Sequence, residues 1–358
     1  MPSSSVDTFL ACSVMILLVL SAMVGTSKLM APYLDDLADR DSVDRFRHLA
    51  SNLLLTTGSP SNWGQLKGTV PSAFGLARAD AVIPYELDLD KVTRLNSGNG
   101  YSLAYSDLWQ AFGVIDASFQ IEIKMLFDLS VQLVSNSTQG NQTIYEFEVR
   151  AEKSGMPISA NLRSYAVLRD FVNKTEASTS SNGASTVTIG IPNSINGTAL
   201  LLVFARSAIN PQVVSFGVHT FSHNSPNLLP NGTFVNLSPL NYVLNASFAH
   251  AAIEVIEAQV FSFSYNFSLT ELAQGAQSAE YAVPCLIDAS ASVIVVTGSN
   301  GSTYFAEWAA YPQVPLQVGA DFSESIAGSR VAAYSQIVTI DSALYEVITK
   351  WGGLSNSV

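Results

Sequence analysis

An uninterrupted alternation of apolar and polar residues starts at Phe119 and constrains the fold more than any other feature of the chain. Strict period two places successive side chains on opposite faces of a strand, so one face of this segment is predicted to be buried. The chain then turns within Ser135–Gln142 and returns with a second alternating segment around Tyr145 and Val149, which predicts a β-hairpin. The apolar positions of its first strand are Phe119, Ile121, Ile123, Met125, Phe127, Leu129, Val131 and Leu133.

Strand-like segments continue to the end of the chain and are separated by Gly, Asn and Pro turns. Many short strands at this spacing favour antiparallel sheets packed as sandwiches. Two short helices are predicted before the hairpin, at Leu87–Leu95 and Ser102–Phe112. The later predicted strands are Ser164–Val172, Thr186–Ile191, Leu200–Ala205, Val213–Val218, Ile253–Leu269, Val283–Val296, Thr303–Ala310, Val331–Ile340 and Leu344–Trp351.

An apolar segment, Phe9–Thr26, is the one stretch of the sequence long enough to cross a bilayer. No basic residue precedes it, and it is longer than the apolar region of a secretory signal. We therefore interpret it as a retained anchor that contacts the lipid bilayer through residues 9–26, with a cleaved signal as the alternative. After Pro32, apolar residues recur at helical spacing to about Thr56, which predicts an amphipathic helix continuing from the anchor.

Composition limits the classes of function open to the chain. Only 13% of the residues are charged, and the formal net charge is −12 with a pI near 4.7. An acidic surface with few Lys and Arg side chains argues against nucleic acid and anionic lipid surfaces as partners. The two cysteines, Cys12 and Cys285, lie in the apolar run and in the distal half, so we expect no disulfide between them.

Nine Asn-X-Ser/Thr triplets follow the apolar segment, and several fall in predicted turns. Asn, Ser and Thr also populate turns for conformational reasons, which is the alternative explanation of the pattern. Because N-glycosylation takes place outside the cytoplasm, the triplets place the C-terminal bulk of the chain outside the cell, behind a single-pass anchor in the cytoplasmic membrane. The predicted acceptors are Asn136, Asn141, Asn173, Asn196, Asn231, Asn236, Asn245, Asn266 and Asn300.

Motifs for catalysis and metal binding are absent from the sequence. His219 and His223 have a spacing that binds metal on a helix, but they fall at a predicted strand end without a carboxylate motif, which favours exposed loop histidines. Asp288, Glu307 and Asp341 lie in apolar strands and are either outward-facing or inter-strand partners. We therefore predict no catalytic residues, no metal, no cofactor and no enzymatic activity.

Four segments of the chain form a recognisable pattern. They are Leu53–Trp63, Phe74–Ala77, Leu87-Asp88 with Lys91 and Leu95, and Val338–Asp341 with Leu344-Tyr345. Behind an N-terminal apolar helix, this pattern resembles archaeal type IV pilin-like (pseudopilin-like) surface proteins. The resemblance implies a long N-terminal helix packed on an antiparallel sheet, and assembly with other pilin-like subunits into homo- or hetero-oligomers. The middle, from Gly155-Met156-Pro157 to Thr186–Pro192, resembles an immunoglobulin-like or transthyretin-like β-sandwich module.

These observations predict a mostly β, α+β chain in four parts. The parts are a transmembrane helix at 1–30, a pilin-like domain at 31–152, a β-sandwich module at 153–245, and a C-terminal β-rich region at 246–358 that completes the pilin-like sheet. The expected function is a membrane-anchored, glycosylated, pilin-like or structural surface protein that acts through helix packing and assembly. The alternatives are a monomeric surface receptor or adhesin that binds glycan or protein through its β-sandwich, and an ectoenzyme of unknown type.

Overall fold

The structure is a computed structural model of the chain. It describes residues 14–16, 18–24, 26, 28, 43–114, 117–225, 234–285, 288–322 and 331–353. The chain divides into two compact units, Met1–Ser51 and Asn52–Val358.

The described residues of the first unit are helical at 14–16, 18–24, 26, 28 and 43–51. No helix in the part of the chain that the structure describes is both long enough and apolar enough to cross a membrane. This finding corrects the predicted transmembrane helix, the single-pass membrane location and the pilin-like architecture built on that helix. Residues 1–13 (including Cys12), 17, 25, 27 and 29–42 lie outside the described residues.

The first pair of sheets forms around the predicted hairpin. The outer sheet of the pair contains β3 (Asp128–Gln139), β4 (Gln142–Lys153), β5 (Met156–Pro157) and β8 (Ala184–Pro192). The inner sheet contains β6 (Ala160–Leu168), β7 (Phe171–Ser178), β9 (Gly197–Ser207) and β10 (Val214–His223). The β3–β4 hairpin is confirmed, with its turn between Gln139 and Gln142, and the core between the two sheets is lined by residues such as Phe147 and Leu201.

The predicted long strand from Phe119 is broken into two strands. β2 (Ala117–Met125) ends before Leu126 and Phe127, which are consecutive buried residues, and β3 starts directly after them. Two buried neighbours interrupt the period-two pattern, so the buried faces of β2 and β3 pack into different cores. The odd-numbered apolar residues from Phe119 to Leu133 therefore form one pattern in the sequence but lie in two different sheets.

A second pair of sheets follows in the chain. Its outer sheet contains β11 (Val235–Leu240), β12 (Val243–Phe248), β15 (Thr270–Gln274) and β16 (Ser278–Ala282). Its inner sheet contains β13 (Ile253–Phe261), β14 (Asn266–Ser268), β17 (Ser292–Asn300) and β18 (Thr303–Tyr311). The predicted strand Ile253–Leu269 is thus two antiparallel strands, and β11 and β18 lie at the edges of their sheets.

The two inner sheets pack face to face, and each is therefore buried on both faces. Their shared core contains Tyr165, Phe204 and Phe216 from the first pair and Phe261 and Val293 from the second. Burial on both faces explains why β9 and β17 are continuous apolar runs without alternation. The immunoglobulin-like module that the sequence predicts at 153–245 is not found as a sandwich of its own, because its strand β8 pairs with β4, which precedes it, and its strand β11 belongs to the second pair.

A fifth sheet joins distant parts of the chain. Besides β2 it contains β1 (Glu86–Leu87), β19 (Leu316–Gly319), β20 (Val331–Ile340) and β21 (Ala343–Gly353). The strand order in this sheet is β1-β20-β21-β2-β19.

The two short helices predicted before the hairpin are confirmed. They are α1 (Leu89–Thr93) and α2 (Tyr105–Phe112), and a 3-10 turn at Trp63–Gln65 precedes them.

Two buried cations organise the segment from Thr57 to Tyr101. Lys91 Nζ donates hydrogen bonds to the carbonyl oxygens of Thr57 and Ala77, at 2.8 and 2.7 Å. The Arg94 guanidinium donates to the carbonyl oxygens of Trp63, Leu66, Thr69 and Tyr101. Both cations lie over the fully buried Trp63 ring, whose Nε1 donates to the carbonyl oxygen of Gly75. Three of the four segments that carry the family resemblance are thus joined by hydrogen bonds of Trp63 and Lys91.

This packing predicts a stability change with pH. Burial lowers the pKa of Lys91 from 10.5 to about 8, so between these values the unfolded chain holds a proton that the folded chain lacks. The free energy of unfolding contributed by this lysine therefore rises with pH between about 8 and 10.5. Denaturant titrations of the full chain across this range are expected to show the rise in wild type and its loss in Lys91→Met. Lys67→Met, a change at a half-exposed lysine, is the control and is expected to keep the rise of the unfolding free energy. An unchanged rise in Lys91→Met would contradict the assignment of this rise to Lys91.

Candidate functional site: an uncharged groove between two sheet edges

A groove of about 350 Å³ lies between the edge strands β11 and β18 of the second pair of sheets. Two loops close it, one after α1 and one between β18 and β19. We call this feature the amide groove. Its lining residues are Asn96, Gly98, Val235, Asn236, Leu237, Trp308, Ala309, Ala310, Gln313, Val314 and Pro315.

A buried carboxylate fixes the distance between the two edge strands. Glu307 of β18 is 1% exposed, and its two carboxylate oxygens accept the backbone N–H groups of Phe234 and Val235 at 2.7 and 3.0 Å. Hydrogen bonds from backbone donors to a charged acceptor are stronger than neutral ones. Glu307 therefore positions β11 and the groove wall that β11 forms.

The loop after α1 is tied to both walls by its amide side chains. Asn96 Nδ2 donates to the carbonyl oxygen of Gln313 at 2.9 Å, and Asn99 Nδ2 donates to that of Pro239 at 3.1 Å. The backbone N–H of Gly100 donates to Ser238 Oγ at 2.9 Å. These contacts join residues that are far apart in sequence, so the groove is set by tertiary structure.

The lining combines apolar surface with primary amides. Trp308 packs edge-on against Phe216 of the inner core, with ring centroids 6.3 Å apart, and lies beside aliphatic residues of the groove. Asn96, Asn236 and Gln313 supply amides, and none of the described residues that line the groove carries an ionisable side chain. Gln313 is 8% exposed, and its Oε1 has no hydrogen-bond partner among the described residues. A buried acceptor of this kind is costly until a donor reaches it.

A second, smaller pocket of about 100 Å³ contains ionisable groups that stabilise the fold. Asp90 accepts hydrogen bonds from Tyr311 Oη at 2.7 Å and from the backbone N–H of Asn241 at 2.8 Å. Burial raises the pKa values of Asp90, Tyr311 and Tyr242. Cys285 is an exposed free thiol whose Sγ lies 3.7 Å from Tyr242 Oη. Since Asp90 is occupied by contacts that join α1 to the second pair, we assign it a structural role.

The two paired histidines are not exposed loop residues, so that interpretation is wrong. Both lie on β10, and His223 is fully buried between Tyr145 Oη at 2.8 Å and the carbonyl oxygen of Pro192 at 3.0 Å. His219 packs against the Phe147 ring. Burial lowers the pKa of both imidazoles. Across the described ranges, no three His, Cys, Asp or Glu side chains are grouped to hold a metal ion.

Of the three acidic residues that the sequence places in apolar strands, only Glu307 lies in a strand, and the inter-strand interpretation is confirmed for it. Asp288 precedes β17; it pairs with Arg206 Nη2 at 2.5 Å and accepts the backbone N–H of Ser264 at 2.7 Å. Asp341 lies in the turn between β20 and β21, where burial raises its pKa. The strand placement is therefore wrong for Asp288 and Asp341, and none of the three carboxylates lines the amide groove.

The predicted glycosylation acceptors differ in accessibility. The three half-buried ones are Asn173, Asn245 and Asn300, and Asn231 lies outside the described residues. The exposed acceptors are Asn136, Asn141, Asn196, Asn236 and Asn266. Asn236 alone among the described acceptors lines the amide groove. Glycosylation of these residues stays a prediction.

Sequence reasoning did not identify the amide groove. Asn96, Trp308 and Gln313 belong to no motif, and Asn96 is separated from Gln313 by 217 positions. Among the residues of the groove, the sequence points only to Asn236, as a predicted glycan acceptor.

Comparisons with known proteins do not place the chain in a family. No family model and no curated protein matches it. Among solved structures, human GIVD cytosolic phospholipase A2 is similar with 7% sequence identity and a TM-score of 0.15, over 67% of this chain and 33% of that chain. The chain therefore spans about a third of the length of that protein. The pilin-like resemblance, the assembly role and the absence of enzymatic activity are not tested by these matches and stay predictions.

The role of Glu307 predicts the effect of a one-atom change. Glu307→Gln replaces one acceptor oxygen with an NH₂ donor, so either the Phe234 or the Val235 N–H loses its partner. An unsatisfied buried donor costs about 1–3 kcal/mol. Denaturant unfolding of the full chain is expected to show a loss of this size. Glu254→Gln, on an exposed position of β13, is the control and is expected to change stability by less than about 0.5 kcal/mol. Equal stability of the two variants contradicts the role of Glu307.

Proposed function

We propose that the chain is a non-enzymatic binding protein that holds a neutral, hydroxyl-rich ligand, a glycan, in the amide groove. The observation that carries this proposal is the buried Gln313 Oε1, which has no partner among the described residues and belongs to the lining of an uncharged concave site. This role corresponds to the receptor or adhesin alternative given by the sequence.

The absence of charge from the lining favours a neutral ligand. A charged ligand buried in the groove loses its hydration, and the lining residues offer no opposite charge in return. Glu307 is adjacent to Trp308 in sequence, but its carboxylate is engaged by the backbone of β11. The net charge of −12 further disfavours anions.

The mixture of amides and apolar surface suits a sugar. A primary amide both donates and accepts hydrogen bonds, as a hydroxyl does, so Asn96, Asn236 and Gln313 complement a ligand that presents several hydroxyl groups. Trp308 and the aliphatic side chains beside it complement the C–H surface of a sugar ring. The volume of about 350 Å³ lies in the range of small-molecule sites.

The lining also favours binding over catalysis. Acid–base catalysis requires a titratable group within hydrogen-bond reach of the reacting atoms. The side chains that line the groove are amides, hydrocarbons and an indole, and none of them titrates near neutral pH. A ligand held there would be bound and released unchanged.

Replacement of Gln313 separates binding from stability. Gln313→Leu has a similar size but removes the unpartnered amide, so we expect thermal stability to be equal or higher. Affinity for the ligand should fall about tenfold or more, since one hydrogen bond to a buried acceptor is lost. The measurement is calorimetry of the full chain, produced without N-linked glycosylation, with a panel of neutral oligosaccharides built from hexose and N-acetylhexosamine units.

The matched control is Gln317→Leu, an exposed position on β19 outside the groove, which should bind as wild type does. The proposal fails when wild type binds no member of the panel, or when Gln313→Leu binds as tightly as wild type.

A further inference from the structure

A predicted glycan acceptor forms part of the wall of the amide groove. Asn236 is an exposed residue of β11 and begins the triplet Asn236-Leu237-Ser238. Ser238 Oγ donates a hydrogen bond to Asn236 Oδ1 at 3.2 Å, so the two polar groups of the triplet lie together. Anything attached to Asn236 Nδ2 therefore starts at the groove.

The folded structure determines whether Asn236 is modified before or after the loop that follows α1 docks onto β11. Ser238 is 6% exposed, because the Gly100 N–H donates to its hydroxyl and Asn99 binds the neighbouring Pro239. A glycosyl transferase needs access to the whole triplet, so modification must precede docking of the loop after α1 onto β11. The groove then closes around a sugar that is already attached.

We propose that an N-linked glycan on Asn236 occupies the amide groove and closes it to free ligands. In the modification, Asn236 Nδ2 forms a bond to C1 of the first sugar of a lipid-diphosphate-linked oligosaccharide. The C1–O bond to the diphosphate breaks, the lipid diphosphate leaves with the bonding electrons, and Nδ2 loses one proton. This regulation rests on the glycan-binding role proposed for the groove.

Tethering gives the attached sugar an advantage over free ligand. A group held by a short linker has an effective concentration on the order of millimolar at the site that it can reach. The Asn236 side chain is such a linker, and the Gln313 and Asn96 amides lie in the same groove. Free ligand must therefore compete with an occupant that cannot diffuse away, and binding of free ligand weakens.

Four full-length proteins test this regulation: wild type from a host without N-linked glycosylation, and wild type, Ser238→Thr and Asn266→Gln from a host with it. The unmodified wild type keeps every side chain of the groove, Ser238→Thr keeps the triplet, and Asn266→Gln removes an exposed triplet outside the groove. Mass spectrometry of glycopeptides should find glycan on Asn236 in the three proteins from the glycosylating host. These three proteins should bind the neutral oligosaccharide panel at least tenfold more weakly than the unmodified wild type does.

Enzymatic release of glycans gives a readout that does not depend on free ligand. A peptide N-glycosidase should release the Asn266 glycan from the folded protein but the Asn236 glycan only after denaturation. The inference is overturned when Asn266 carries glycan and Asn236 does not, when both glycans are released at the same rate from folded protein, or when modified wild type binds as tightly as unmodified wild type. A failure of unmodified wild type to bind the panel overturns the proposed function instead, and the release experiment still decides where the glycan lies.

Discussion

The apolar contact between the two inner sheets is the constraint on which the rest of the second unit depends. Tyr165 of β6 packs against Phe261 of β13 with ring centroids 5.1 Å apart, within a core that buries one face of β9 and one face of β17. The opposite faces of these strands are buried in the cores of their own pairs of sheets. Close-packed interiors of this kind transmit small displacements instead of absorbing them. Because β18 hydrogen-bonds to β17 along its whole length, this core also fixes the strand that presents Trp308 to the amide groove.

The few charges of the chain are used mainly to satisfy backbone groups. Lys91 and Arg94 bind loop carbonyl oxygens, whereas Glu307 and Asp90 bind backbone N–H groups of β11 and the turn after it. A loop that is buried against a sheet has polar groups that water cannot reach, and such groups require partners. Ionised side chains supply strong partners where regular secondary structure ends. Their burial is therefore a consequence of the fold.

The sequence predicted local structure well and tertiary structure poorly, for identifiable reasons. Period-two alternation correctly predicted the β3–β4 hairpin, because one face of β4 is buried and the apolar side chains at the start of β3 pack against the same core. The same rule missed the break at Leu126, where two neighbouring residues are buried in different surroundings. The amide groove was not predictable, since Asn96, Trp308 and Gln313 meet only after two sheets and two loops have packed. The apolar N-terminal segment suggested a spanning helix that the described residues do not contain.

The neutrality of the amide groove follows from how its surroundings are built. Glu307 is the nearest acidic residue in sequence to Trp308, and holding β11 against β18 engages both of its carboxylate oxygens. Arg94, which ends α1 just before Asn96, is directed into the loop carbonyls around Trp63. With these charges committed to the backbone, the polar side chains among the described residues of the lining are amides. This neutral lining is the basis of the proposed preference for hydroxyl groups over ions, and Asn236 places a predicted glycan acceptor at its wall.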